Sequence, residues 1–86
     1  MNLKLRSEDL EWREIDGEVV ALDTRRAEYL AVDGSGTALW HALDGGATRQ
    51  QLIDSLVVRY GIAGDRAAAD VDAFIAQLEA KELLSA

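Results

Sequence analysis

The chain has 86 residues, 49% of them hydrophobic, with no cysteine and no proline. That is enough for one small domain spanning 1–86 with a thin core. It is too apolar for a disordered chain, and it offers no thiolate for a disulfide or metal site. Nine basic residues against sixteen acidic give a formal charge of −7, which disfavours nucleic acid, because neutralising phosphate needs Lys and Arg, and favours a basic peptide or plain solubility. No apolar run approaches the roughly 20 residues of a membrane span, and the opening Met-Asn-Leu-Lys-Leu-Arg-Ser-Glu-Asp lacks a signal-peptide core, so a cytoplasmic protein is expected.

In residues 1–9, Leu3 and Leu5 alternate with Lys4 and Arg6, the pattern of a short extended arm. Leu10 to Ile15 follows as a strand anchored by Trp12. Asp16-Gly17 then carries the dipeptide signature of a tight hairpin turn. Glu18 to Asp23 is β-branched and apolar, a second strand. After the polar turn Thr24-Arg25-Arg26, Ala27 to Val32 reads as a third strand, with Leu30 and Val32 directed toward the helices. Nothing later in the chain reads as a strand that pairs with it. Its outer edge is therefore expected to stay open to an extended peptide from another chain.

The rest reads as helix. Helix one is expected over Ser35 to Leu43, capped by Asp33 or Ser35, with Trp40 at the margin of its apolar face. Asp44-Gly45-Gly46 stops it. Thr48 and Gln51 form a capping box for helix two, Arg49 to Tyr60, which ends at Gly61. Helix three is expected over Arg66 to about Leu83, with the stripe Ala67, Val71, Phe74, Ile75, Leu78. Strands followed by helices give an α+β fold of winged-helix type: a three-stranded antiparallel sheet and then three helices on one face.

No catalytic or cofactor chemistry stands out. His41 is the only histidine and has no Cys or second His beside it. Ser35 between glycines has no base at a recognisable spacing, Gly34-Ser35-Gly36 lacks the lysine of a phosphate loop, and the aspartate spacings do not fit a calcium loop. A DNA-reading role for helix two, through Arg49 and Arg59, meets the adverse net charge. The bland alternative for the third strand is that Leu3 and Leu5 of the arm pair with its edge and close it.

The ordered set Val20-Ala-Leu-Asp23, Tyr29-Leu-Ala-Val-Asp33-Gly-Ser-Gly36, Leu39-Trp40, Leu43-Asp44-Gly45, Arg59-Tyr60 and Asp70-Val71 through Phe74 and Leu78 to Leu83-Leu84 resembles the PqqD-like family. These are RiPP recognition elements, which hold the leader segment of a precursor peptide. Trp12, Arg59-Tyr60-Gly61 and Asp70-Val71-Asp72-Ala73 are most similar to the free-standing leader-binding proteins of lasso-peptide pathways. One departure is Asp33, where family members often carry Asn.

The resemblance implies a non-catalytic protein without cofactor. Its partners would be a leader peptide, a cysteine-type leader peptidase and an ATP-dependent cyclase; an alternative is service to a radical SAM enzyme in another peptide pathway. A strand-linked homodimer through the same open edge is a further expectation. The peptide is expected against Ala27, Glu28, Tyr29, Leu30, Ala31 and Val32 on the strand, and against Asp70, Val71, Phe74, Ile75 and Leu78 on helix three. Asp72 joins Asp70 and Glu28 as rim charges.

Overall fold

The computed structural model describes residues 2–85. Met1 of the arm and Ala86 of the expected 1–86 domain lie outside it. The order of elements is β1 (Asn2–Leu5), β2 (Leu10–Ile15), β3 (Glu18–Asp23), β4 (Glu28–Val32), α1 (Ser35–Gly45), β5 (Ala47–Thr48), α2 (Arg49–Tyr60), α3 (Gly64–Ala80) and β6 (Leu84–Ser85). β2, β3 and β4 form the expected antiparallel meander. The arm does not close it. β1 instead pairs with β5 and β6 in a second small sheet that joins the two ends of the chain.

The β2–β3 turn has positive φ at both Asp16 (52°) and Gly17 (81°). This is the type I′ geometry, whose twist matches the flanking strands. The Thr37 hydroxyl lies 2.8 Å from the Gly17 carbonyl and 3.2 Å from that of Val32, which fastens the turn to α1. Along the sheet the inward positions Val19, Ala21, Leu30 and Val32 are buried. They meet Leu39, Trp40 and Leu43 of α1, Leu52 and Leu56 of α2, and Val71, Phe74 and Leu78 of α3.

The helix ends depart from expectation in instructive ways. Thr48 and Gln51 form the reciprocal capping box, and Gly61 adopts the left-handed conformation, as read from sequence. α1 starts instead from Gly34 with no side-chain cap, so neither Asp33 nor Ser35 takes that role. Trp40 is fully buried rather than marginal, because α1 is covered on several sides. Its ring sits edge-on to Trp12, at 5.9 Å. α3 stops at Ala80 rather than Leu83. Glu82 takes φ 57°, and the Leu83 N–H bonds the Leu78 carbonyl at 2.9 Å. That is a Schellman-type ending with glutamate where glycine is usual, and it folds Leu83 back into the core.

Ala27 belongs to the turn and not to the strand, with φ at 55°. An L-residue pays for that conformation through a Cβ–carbonyl clash of about 1–2 kcal/mol, against roughly 0.5–1 kcal/mol for the extra chain entropy glycine loses on folding. Ala27→Gly is therefore expected to raise stability by about 0.5–1 kcal/mol in urea titrations.

A second prediction concerns Asp23, a buried carboxylate. Burial pushes its pKa up, but hydrogen bonds from the Arg6 guanidinium and the backbone N–H groups of Arg26 and Arg25 outweigh this and hold it below the ordinary 3.8. The folded protein thus binds that proton less tightly than the unfolded chain. The stability it confers is complete above the unfolded pKa and is lost as pH falls through the folded one. Asp23→Asn should flatten the acid limb of a stability-versus-pH curve below about pH 5 while leaving the neutral-to-alkaline part parallel to wild type.

Candidate functional site: the open edge of β4

Register decides which backbone groups of β4 are free. Ile15 and Glu18 flank a two-residue turn and so form a hydrogen-bonded pair. Pairing alternates along β3, and the Thr24 N–H bonds the Asp9 carbonyl at 3.0 Å, one step beyond Leu10↔Asp23, in phase with that count. Glu18, Val20 and Leu22 therefore turn their backbone groups to β2, while Val19, Ala21 and Asp23 turn theirs to β4. Opposite them stand Val32, Leu30 and Glu28. Tyr29 and Ala31 are left with N–H and C=O groups pointing away from the sheet. Among the described residues, β4 pairs with β3 alone.

α3 runs beside this edge. Asp70, Ala73, Phe74 and Gln77 line one cavity together with Ser35, Gly36, Leu39 and Arg66. Gly36 sits between them: a Cβ built there would stand in contact with both Phe74 and Val32, at 3.4 Å from each. At the other end of β4 lies a smaller, largely apolar cavity formed by Leu10, Ala21, Leu30 and Leu83 under Asp23, Glu28, Tyr29 and Lys81. Asp70, Phe74, Gln77 and Lys81 recur at helical spacing. Asp70, Phe74 and Gln77 line the first cavity, and Lys81, just past the end of α3, lines the second, where Glu28, Tyr29 and Leu30 of β4 also stand.

The expected site residues divide by burial. Glu28, Tyr29 and Ala31 are exposed, Tyr29 at 73%, whereas Leu30 and Val32 face the core with their side chains. Ala27 sits in the turn before the edge. On α3, Asp70 and Phe74 line the groove. Val71 and Leu78 have no exposed surface and stand behind the wall rather than in it. Ile75 and Asp72 face a different cavity with Leu3, Thr48 and Gln50. There Asp72 accepts two bonds from Arg49, at 2.7 and 2.8 Å, so Asp72 is no rim charge of the groove. Counting three and seven positions on from Phe74 would have found Gln77 and Lys81, and three on from Asp70 finds Ala73. Gly36, Leu10 and Leu83 carry no such signal, since tertiary contact alone brings them here.

β2 also has an unpaired outer edge among the described residues. Its residues Glu11, Trp12, Arg13 and Ile15 line a cavity on the outer face of the sheet, α1 meets it through Trp40 and His41, and it carries the charges Glu11, Arg13 and Glu14. Charged edges of this kind resist added strands.

The family described as coenzyme PQQ synthesis protein D (PqqD) matches residues 18–84. Two solved structures share the fold. One, described as TbiB1 in complex with the TbiA(beta) leader peptide, is 28% identical over 95% of this chain and 94% of that one, with a TM-score of 0.87. The other, lasso peptide synthetase B1 complexed with the leader peptide, is 20% identical over 98% of each chain, with a TM-score of 0.84, and bears on the fold alone. No protein of curated function matches the sequence.

Two proline substitutions test the register. Leu30→Pro removes the N–H that serves buried Ala21 and should cost at least about 1–3 kcal/mol by stranding that carbonyl. Ala31→Pro removes an N–H that no other described residue accepts and should melt several degrees higher than Leu30→Pro by circular dichroism. Equal melting temperatures would mean that the alternation has been assigned wrongly.

Proposed function

This chain belongs to the PqqD family, and on that premise we propose that it is a non-catalytic leader-binding protein of a peptide-modification pathway. A leader segment lies along β4 as an added strand, held on its other side by the Asp70–Phe74–Gln77 wall of α3. The observation that carries this reading is the open edge itself. Tyr29 and Ala31 offer unpartnered backbone groups, and Tyr29 lines the small apolar cavity, an arrangement that suits β-augmentation. The likeness to TbiB1, a protein of 28% identity seen with a leader peptide, supports it.

Main-chain bonds supply affinity independent of side chains, and the two cavities select side chains of the guest. Each leucine-sized anchor of the guest buried against this face is worth roughly 1.5–3 kcal/mol, offset by the cost of ordering the peptide; the smaller cavity, about 10 Å³ in the free protein, must open to take one. A net of about −8 to −10 kcal/mol, micromolar or somewhat tighter, follows for two or three anchors. Glu28 and Asp70 attract basic guest residues and mainly raise the association rate.

The pathway we assign is lasso-peptide biosynthesis, with a cysteine-type leader peptidase and an ATP-dependent cyclase receiving the held precursor. Service to a radical SAM enzyme is the second reading, and the genes beside this one discriminate between them. A homodimer through β4 would compete with the leader for the same edge. Duplex DNA finds little to hold on α2, because Arg49 is already bonded to Asp72.

The test is fluorescence anisotropy with the labelled leader of the precursor encoded beside this gene. Wild type should bind at about micromolar or tighter. Ala31→Pro should weaken binding at least about tenfold, the order expected when a ladder bond and its geometry are lost. Phe74→Leu should weaken binding while sparing the core better than Phe74→Ala, since a Phe→Ala truncation costs about 3–5 kcal/mol where the ring is buried. Absence of leader binding by folded wild type, or tight duplex binding at low salt in a gel shift, would overturn the reading.

A further inference from the structure

Arg6 follows β1, yet its side chain is only 9% exposed, and neither the core nor the open edge accounts for it. Its guanidinium donates to three separate segments. Nε bonds the Glu8 carbonyl at 2.8 Å, Nη1 the Glu82 carbonyl at 2.8 Å, and Nη2 both the Asp9 carbonyl at 3.0 Å and Asp23 Oδ1 at 2.6 Å. The Arg6 N–H bonds the Leu83 carbonyl at 2.7 Å. Asp23 Oδ1 also accepts the N–H groups of Arg25 and Arg26, which fixes the turn that leads into β4.

These segments are the ones that wall the smaller cavity. Leu10 follows the arm, Asp23 and Glu28 bracket the turn, and Leu83 follows the end of α3. Apart from this hub, the longer Arg26–Glu82 ion pair, at 3.6 Å, also links the turn to the end of α3. A planar guanidinium fixes the relative positions of several acceptors at once, which a lysine ammonium on a flexible stem does not.

We propose that Arg6 is a positioning residue for peptide recognition: it sets the spacing of Leu10, the β3–β4 turn and Leu83, and so the shape of the cavity mouth that one side chain of the bound peptide meets. Arg6 does not touch the peptide. This inference rests on the leader-binding reading and adds the N-terminal arm to the recognition apparatus. A recognition cavity displaced by about 1 Å loses selectivity before the fold loses stability.

The experiment is an alanine scan of the same leader peptide against wild type, Arg6→Lys and, as a remote control, Arg49→Lys, with the melting temperature of each protein recorded. Arg6→Lys should raise the Kd of the unmodified leader about tenfold, and that penalty should collapse at one leader position, the one whose side chain meets the cavity mouth. Arg49→Lys should bind as wild type. Asp23→Asn, which keeps an acceptor for the turn and removes the ion pair, carries the same test if Arg6→Lys does not fold. A penalty spread evenly over all positions, or none, assigns Arg6 to the fold alone and overturns the proposal while leader binding stands. Wild type that binds no leader removes the parent reading, and this one with it.

Discussion

The structure depends on where the arm pairs. β1 lies between β5 and β6, so the N-terminal arm is engaged there and does not cover β4. The constraint is that each strand edge holds one partner. With β3 on one side of β4 and, among the described residues, no strand on the other, the backbone groups of Tyr29 and Ala31 stay available. Water satisfies them in the free protein, and an extended guest replaces that water at little enthalpic cost. The second sheet thus serves the first by keeping the arm away from it.

Side chains divide the labour. Leu30 and Val32 turn inward and hold β4 to the core, which keeps the edge straight enough to act as a template. Phe74 belongs to both worlds: it is nearly buried, yet it lines the groove beside Gly36. Val71 and Leu78 brace the wall from behind. A wall supported in this way is rigid, and rigidity lowers the ordering cost of binding, since only the guest must be immobilised.

Much of this was legible in the residues because local chemistry decided it. Asp16-Gly17 fixed a I′ turn, Thr48 with Gln51 fixed a helix start, and the period-two placing of Leu30 and Val32 fixed the inward face of β4. The sequence misled where a residue without the usual signature adopted a left-handed backbone. Ala27 ended the turn one residue later than its apolar character suggested, and Glu82 ended α3 without a glycine to announce it. The two-residue strands β5 and β6 are too short for any periodicity to show. Trp40 looked marginal on a helical wheel because the wheel assumes one buried face, and α1 is buried on more than one. In the groove, Asp70 and Phe74 followed from helical spacing, whereas Ile75 and Asp72 fell on the other side of α3, toward Arg49. The hub at Arg6 was invisible, since its partners are mostly backbone carbonyls that no side-chain pattern encodes.

The most direct measurement of the central claim is residue-resolved amide hydrogen exchange, without and with a saturating leader peptide. The account predicts that the Tyr29 and Ala31 amides exchange quickly in the free protein and slow markedly when the peptide is bound, while the Leu30 amide, already bonded to β3, is protected in both states. Saturation by the peptide with Tyr29 and Ala31 still exchanging at their free rates would contradict it.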